Sequence, residues 1–271
     1  MAPRFQLAFR HALLSLSVAS LAVAAAGSAA WAQVPDDSLA TSPASPQAAD
    51  SADSGGFLGW TMSARNAAPR AIAYVQGGYD AARKGAAFES RVEARIMGPV
   101  ALRLGGSYVG PNGDVRPLFA VKVDTLNQEA HGIDLAISAG YEPHGFNTVS
   151  AVGVLVAVGR RFGDLNVIGN VGYGLGLKEG ERYGDGRLAG IYRVGRRLHL
   201  GLDSRFRIDL ERDADEPAGE PDWELVSGPV AAVTAGRFLF SAGGGLSAIR
   251  FRANNESHVG AIGQLGVGAV F

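Results

Sequence analysis

Cysteine is absent from the 271-residue chain, which excludes a disulfide framework, a thiolate zinc site, a catalytic thiol and a lipidated bacterial N-terminus. An excess of charge of either sign is also lacking, because 25 basic and 26 acidic residues leave a formal net charge of -1. Such a balance does not indicate a nucleic-acid partner. No apolar run beyond the N-terminus reaches the ~20 residues that a membrane-spanning helix needs. Glycine, by contrast, is plentiful at 38 residues, roughly twice its usual share of ~7%, and its scatter without a period suits short strands and tight turns.

The N-terminal 32 residues contain the three parts of a secretory signal peptide in order. Arg4 and Arg10 make the start basic, residues 12–26 form an apolar core of Ala, Leu and Val, and Ala30-Trp31-Ala32 is a small-x-small cleavage site. A transmembrane anchor is the alternative, but the apolar run is shorter than a spanning helix and the cleavage site follows at once. We therefore predict export, with cleavage between Ala32 and Gln33.

Residues 33–70 are predicted to be a flexible linker followed by a lead-in. Residues 33–56 are rich in Pro, Ser, Ala, Asp and Gly and have almost no large apolar side chain, so they cannot bury a core. Residues 57–69 are ambiguous, because apolar residues such as Trp60 and Met62 are compatible with a short plug or a periplasmic foot. An ordered lead-in to the first strand is the interpretation that we favour.

Alternation of apolar and polar side chains dominates the chain from residue 71 to residue 271. The stretch from Leu198 to Leu210 is the clearest example, because a strand separates its two kinds of side chain completely, whereas a helix would spread the charges around its whole surface. Its apolar face holds Leu198, Leu200, Leu202, Phe206, Ile208 and Leu210, and its polar face holds His199, Asp203, Arg205, Arg207 and Asp209. The same pattern recurs in residues 87–96.

Twelve such segments are predicted, and most have the ~9–11 residues of a tilted membrane strand. They cover residues 71–79, 87–96, 100–109, 116–124, 131–141, 149–159, 165–177, 187–194, 198–210, 224–235, 238–250 and 259–271. Short turns alternate with longer polar loops between them. This layout predicts an all-β fold for residues 71–271, an antiparallel transmembrane up-and-down β-barrel with turns in the periplasm and loops outside. Ten strands are the alternative if two weak segments are misread, and a soluble periplasmic barrel or sandwich would show the same alternation.

The tight turns also predict which residues face each other on neighbouring strands. A turn at residues 97–99 and another at residues 195–197 set the register of two hairpins. The expected pairs are Ile96 with Val100, Glu93 with Arg103, Arg193 with His199, and Tyr192 with Leu200. The Glu93–Arg103 pair joins opposite charges, which is favourable by roughly 0.2–1 kcal/mol.

The C-terminal segment carries a family resemblance. The chain ends in Phe271, and Leu265 and Val267 lie on the same face of the last predicted strand. This arrangement resembles the C-terminal strand signal of bacterial outer-membrane β-barrel proteins, which ends in Phe and is read by the barrel assembly machinery, although Leu, Val and Ala replace the usual further aromatics. Together with the signal peptide, the resemblance spans nearly the whole chain. It implies a location in the bacterial outer membrane, with its lipid and the assembly machinery as partners, and it identifies no ligand.

The polar face of such a barrel lines the lumen. The charged residues expected there are Glu89, Arg91, Glu93, Arg95, Arg103, Lys122, Asp134, Arg187, Arg193, Asp203, Arg205, Arg207 and Asp209. Interleaved charges of both signs can pair and close the lumen, whereas a slight basic excess and small residues such as Gly105, Gly174 and Gly201 leave room for a thin water path that prefers anions. We therefore predict a narrow pore for small solutes. A closed structural barrel that acts through its outer loops is the alternative.

No catalytic, cofactor or metal site is predicted. No two histidines have a metal-ligand spacing such as H-x-x-x-H, and His258 beside Ser257 is more simply a solvated loop residue than part of a hydrolase triad. The glycine-rich residues 172–176 lack the Lys and Ser/Thr of a phosphate-binding loop. The acidic residues 211–222 lack the spacing of an EF-hand, so we expect neither a cofactor nor an enzymatic activity.

Overall fold

In the computed structural model, twelve antiparallel strands close into a barrel. The residues that the structure describes are 61–65, 71–109, 114–141, 151–176, 182–210, 221–251 and 256–271. The strands are β1 (Ala71–Asp80), β2 (Gly85–Met97), β3 (Val100–Val109), β4 (Asp114–Leu126), β5 (Asp134–Tyr141), β6 (Ala151–Phe162), β7 (Leu165–Gly176), β8 (Arg182–Val194), β9 (Leu198–Asp209), β10 (Pro221–Ala235), β11 (Phe238–Phe251) and β12 (Ser257–Val270). Each strand pairs with its neighbours in the sequence, and β1 closes the ring with β12. The predicted fold and strand number are confirmed, and the ten-strand alternative is wrong. The signal peptide, residues 33–60 and residues 211–220 of the acidic loop lie outside the described residues.

The C-terminal strand closes the barrel by joining the two ends of the ring. The Phe271 N–H donates a hydrogen bond to the Ala71 carbonyl at 2.8 Å, and the Ala71 N–H donates to the Phe271 carbonyl at 3.2 Å. Leu265 and Val267 lie on the outward face and are 69% and 49% exposed. The residues that resemble an assembly signal, Leu265, Val267 and Phe271, therefore lie in or directly after β12, the strand that closes the ring with β1.

Glycines with positive φ make the tight turns at one end of the barrel, called the turn end below; the opposite end is the loop end. Gly98, Gly163, Gly195 and Gly236 have φ values of 49°, 60°, 74° and 61°. Residues with a Cβ rarely adopt this conformation, and two-residue hairpin turns need it. The glycines therefore permit the strands to reverse within two or three residues.

A further connection at the turn end contains a short helix that the alternation did not predict. Helix α1 (Gln128–His131) begins after Asn127, whose side chain accepts a backbone hydrogen bond at 2.9 Å, and ends at Gly132, where φ is 79°. An Asn N-cap and a left-handed Gly C-cap are favourable helix ends, so β5 begins only at Asp134. No helix among the described residues is long and apolar enough to span a membrane.

The register of the hairpins agrees with three of the four predicted pairs. Glu93 faces Arg103, and the pairs Arg193–His199 and Tyr192–Leu200 also form. The fourth prediction is wrong, because Met97 and not Ile96 faces Val100. A shift in register between Arg95 and Met97 leaves Ile96 unpaired at this position, which is the geometry of a β-bulge.

The two faces of the wall differ in composition and exposure. The outward face presents large apolar side chains to the surroundings, among them Val171, Leu202 and Leu246, at 72%, 63% and 65% exposed. The inward face is mostly polar, but near the turn end it carries an apolar cluster. The cluster consists of Ile72, Tyr74, Ala189, Ile191, Ala232 and Leu239. It connects β1 with β8 through β10 and β11, and therefore narrows the lumen at this level.

Candidate functional site in the barrel lumen

The charged residues predicted for the lumen lie on the inward face of the wall. Buried among them are Glu89, Glu93, Arg103, Lys122, Asp134, Arg187, Asp203, Arg205 and Arg207. Arg91, Arg193 and Asp209 are half-buried, and Arg95 is exposed at the turn end. Arg91 pairs with Glu89, and Arg193 pairs with Asp164 of the neighbouring turn at 2.8 Å. Burying a charge without a partner costs free energy. The positions of the partners therefore determine which of these charges can be buried in the lumen.

A first group of charges, the turn-end cluster, surrounds Glu93. Lys122 Nζ lies 3.2 Å from Glu93 Oε1, and Arg103 Nε lies 3.6 Å from Glu93 Oε2. Arg103 Nη1 also donates to the Ser138 hydroxyl at 3.4 Å. Arg103 is 1% exposed and Lys122 is 0% exposed, so water does not reach these two side chains.

Residues 61–65, called the lumen segment below, pass through the interior of the barrel. The Thr61 hydroxyl donates to Asp203 Oδ1 at 2.6 Å, and the Thr61 N–H donates to Asp203 Oδ2 at 3.3 Å. The Asn170 side chain accepts from the Met62 N–H at 2.6 Å and donates to the Met62 carbonyl at 2.9 Å. Thr61, Met62, Ser63 and Ala64 are only 1–3% exposed, so a plug describes this segment better than a lead-in outside the barrel.

The other end of the lumen segment is bound near the turn end. Arg65 Nε donates to Asp134 Oδ2 at 2.7 Å, and Lys122 Nζ donates to the Arg65 carbonyl at 2.5 Å. Arg103 Nη1 lies 3.2 Å from Met62 Sδ. Together with Asp203, four of the charged residues predicted from the sequence therefore bind a segment of the chain itself.

A second group of charges, the loop-end cluster, surrounds Glu224. Arg83 Nη2 donates to Glu224 Oε2 at 2.5 Å, and Arg205 Nη2 lies 3.4 Å from the same oxygen. Arg205 Nε lies 4.0 Å from Asp185 Oδ2, and Arg187 Nε donates to Asp185 Oδ1 at 2.8 Å. The cluster alternates acidic and basic side chains, so each buried charge has a neighbour of opposite sign.

Two further residues extend the loop-end cluster. Asp80 accepts hydrogen bonds from the Ser247 hydroxyl at 2.9 Å and from the Ala82 N–H at 2.9 Å, which fixes the loop that carries Arg83. The Arg207 guanidinium stacks on Tyr183 with 4.3 Å between its central carbon and the ring centroid. Arg207 is 7% exposed, and its Nη1 has no hydrogen-bond partner in the described part of the chain.

Three of the glycines that were expected to leave room for a water path have different surroundings. A Cβ on Gly174 would lie 2.1 Å from the Tyr183 ring, so the Tyr183 side chain occupies that space. At Gly105 and Gly201 a Cβ would lie 2.0 Å and 2.3 Å from backbone oxygens of the neighbouring strands. The Tyr183 side chain therefore fills the space that Gly174 was expected to leave for water, whereas the contacts at Gly105 and Gly201 show only that neighbouring strands of the wall approach closely there.

This closed barrel is similar in fold to the NanC porin. The two chains are 11% identical over 73% of this chain and 100% of that one, with a TM-score of 0.53. A weaker likeness is to the outer membrane channel DcaP of Acinetobacter baumannii, at 10% identity over 74% of this chain and 96% of that one, with a TM-score of 0.40. Another is to the translocator domain of the autotransporter NalP from Neisseria meningitidis, at 17% identity over 74% of this chain and 88% of that one, with a TM-score of 0.38. No protein-family model and no curated protein matches the chain. At such low identity the likeness establishes the porin-like fold alone.

The lumen of this porin-like barrel contains functional candidates that the sequence analysis missed. They are Asp80, Arg83, Asn170, Asp185 and Glu224. Asp80, Arg83 and Asp185 fall in predicted loops, yet Asp185 has the same alternation as Arg187, and that signal could have placed it on the inward face. No group of three or more His, Asp or Glu side chains that could hold a metal ion occurs among the described residues.

Proposed function

We propose that the chain is an integral barrel of the bacterial outer membrane, with its turn end in the periplasm. The outward face supports this proposal, because soluble proteins rarely expose a continuous surface of large apolar side chains, whereas a transmembrane barrel presents such a band to lipid. The membrane lipid is then the partner of this face. The barrel assembly machinery is the proposed partner of β12, through Leu265, Val267 and Phe271. The proposal contains no catalytic step.

Export is the first expectation of this proposal. The mature chain should be recovered in the outer-membrane fraction and should begin at Gln33, because the cleavage site follows the apolar core directly. Intact-mass measurement of the purified protein tests the cleavage position, and membrane fractionation tests the location. Recovery in the soluble periplasm, or retention of Met1, would contradict the proposal.

Within the membrane, we propose a narrow pore for small solutes. The observation that carries this proposal is the polar and charged inward face, which extends from the turn-end cluster around Glu93 to the loop-end cluster around Glu224. A barrel that served only as an anchor could fill its interior with apolar side chains at lower cost, because buried charges must be desolvated. A pore needs these groups, since they replace the hydration of a passing solute.

Planar-bilayer recording with the purified mature protein tests the pore. We expect conductance steps with a preference for anions. Replacing Arg205 and Arg207 with Gln should reduce the anion-to-cation permeability ratio by about thirtyfold, because each of the two unit charges at ~4 Å contributes about 1 kcal/mol in a water-like dielectric. Arg193→Gln, at the half-buried rim of the barrel, should change the ratio much less.

The closed barrel remains the second candidate function. It is favoured by the deep burial of the lumen charges, since Lys122 and Arg103 are inaccessible to water. In that case the loops outside the membrane would be the functional surface. A folded, heat-modifiable barrel that shows no conductance, even after release of the lumen segment, would contradict the pore and support this alternative.

A further inference from the structure

We infer that the lumen segment, residues 61–65, is an internal plug that holds the proposed pore closed and leaves its site when the pore opens. The inference rests on the proposed pore function and concerns the regulation of that pore.

The lumen segment connects opposite walls of the barrel. Met62 contacts Arg103 on β3, and Thr61 contacts Asp203 on β9. In the closed ring of twelve strands, β3 and β9 are six strands apart in either direction. A segment that contacts both strands crosses the lumen and does not follow one wall.

The lumen segment also excludes water from this level of the barrel. Thr61, Met62 and Ala64 are 1%, 2% and 3% exposed, and Asp203 and Asn170 beside them are 1% and 2% exposed. Met62 and Ala64 pack with Leu155 and Ala157 of β6 in a small apolar cluster. A solute cannot pass this section while the segment is in place.

The contacts that hold the segment are of a kind that water can replace. The barrel strands are held by continuous ladders on both sides, whereas the segment is held by hydrogen bonds and an ion pair to individual side chains and by one small apolar cluster. Its last residue, Arg65, has a side chain that is 39% exposed where it pairs with Asp134, so the segment reaches solvent near the turn end. Departure of the segment would leave Asp134 and Asp203 lining a hydrated passage, and no strand would have to separate.

A disulfide can lock the lumen segment in place without removing any of its hydrogen bonds. A Cβ on Gly159 would lie 3.0 Å from the Ala64 Cβ, slightly below the ~3.5–4.5 Å of a disulfide, and the segment is not constrained by a sheet. The natural chain has no cysteine, so the variant Ala64→Cys/Gly159→Cys contains one pair only. Formation of the bond is measured by mass and by the loss of free thiols.

Conductance of this variant in a planar bilayer is the decisive measurement. The oxidised protein should show no openings, and reduction should restore the openings of the wild type. The single variant Gly159→Cys under the same oxidant is the control for damage to the wall. Failure of the disulfide to form in a folded barrel would overturn the position of the segment, and unchanged openings in the oxidised protein would overturn its role as a plug while leaving the pore intact.

A release variant tests the same inference in the opposite direction. Asn170→Ala removes both side-chain hydrogen bonds to the Met62 backbone, and the ratio of open to closed time should rise by about tenfold, because two hydrogen bonds are lost in the closed state only. Thr125→Ala, which removes a side-chain hydrogen bond at an exposed position of β4, should leave this ratio unchanged. If openings are absent from the wild type, the reduced disulfide variant and Asn170→Ala alike, the pore and its plug are both contradicted. Openings of equal frequency in Asn170→Ala and the wild type would contradict the plug alone.

Discussion

Replacement of Glu224 with Gln should lower the free energy of unfolding by about 3–5 kcal/mol, the cost of removing one partner from a buried charge group. Glu224 is 1% exposed and lies between the guanidiniums of Arg83, at 2.5 Å, and Arg205, at 3.4 Å. Gln has almost the same volume as Glu, so the substitution removes the charge without opening a cavity. Unfolding in denaturant, followed by tryptophan fluorescence in detergent or lipid, measures the effect.

A matched substitution at the surface should have a much smaller effect. Asp164→Asn removes the acid that pairs with Arg193, but these side chains are 49% and 31% exposed, and exposed pairs contribute roughly 0–1 kcal/mol. The double variant Glu224→Gln/Arg83→Gln should lose less stability than the sum of the two single variants, because it removes both members of the pair. A loss of under ~1 kcal/mol for Glu224→Gln would mean that Arg83 and Arg205 find other partners, and would contradict the central role of Glu224 in the loop-end cluster.

The strands and their order could be predicted from the sequence, because the alternation of apolar and polar side chains is a local property of each strand. The stretch from Leu198 to Leu210 predicts a strand, and β9 covers Leu198–Asp209. Glycine at a tight turn is also a local signal, so the register that places Glu93 opposite Arg103 follows from the turn at residues 97–99. The bulge beside Ile96 could not be predicted, because it adds one residue to one strand next to the turn and leaves the rest of the hairpin, with Glu93 opposite Arg103, in the predicted register.

The loop ends of the strands were predicted too short because an inward polar residue resembles a loop residue. The start of β8 reads Arg-Tyr-Gly-Asp-Gly from Arg182 to Gly186, and Gly and Asp are typical turn residues. In a barrel with a polar interior, however, Asp185 lies on the inward face and pairs with Arg187. Glu224 has the same ambiguity near the start of β10, so both acidic residues were overlooked, as was Arg83 in the loop between β1 and β2.

No pattern in the sequence indicated that residues 61–65 lie inside the barrel. Thr61 and Asp203 are separated by 142 positions, and Met62 and Asn170 by 108. A five-residue segment is too short to show a period, and its side chains fit equally well a lead-in outside the barrel. Only the closed ring, which brings β7 and β9 to the same level of the lumen, makes these contacts possible.

Replacement of Leu202 with Arg should lower the free energy of unfolding in a lipid bilayer by about 2–4 kcal/mol, the cost of a charged side chain on the lipid face near the midplane. Leu202 lies outward near the middle of β9 and is 63% exposed. Its neighbours across the strands are Pro229 and Gly190, so a larger side chain meets no crowding. The cost should therefore come from the surroundings of the barrel and not from its packing.

An arginine on the lipid face should cost more near the midplane than near the interface. A second variant at another depth therefore distinguishes the cost of placing a charge in hydrocarbon from an effect that arginine would have at any position of this face. Leu210→Arg, at the loop end of the same face and 49% exposed, should cost only about 0–1 kcal/mol, because an arginine near the interface reaches water and headgroups. Urea unfolding of the two variants in the same bilayer, followed by tryptophan fluorescence, gives the difference directly. A soluble barrel would present both positions to water, and both substitutions would then change stability by no more than ~0.5 kcal/mol. Equal and small effects would thus contradict the transmembrane barrel, and a large effect confined to Leu202 would place the middle of β9 in hydrocarbon.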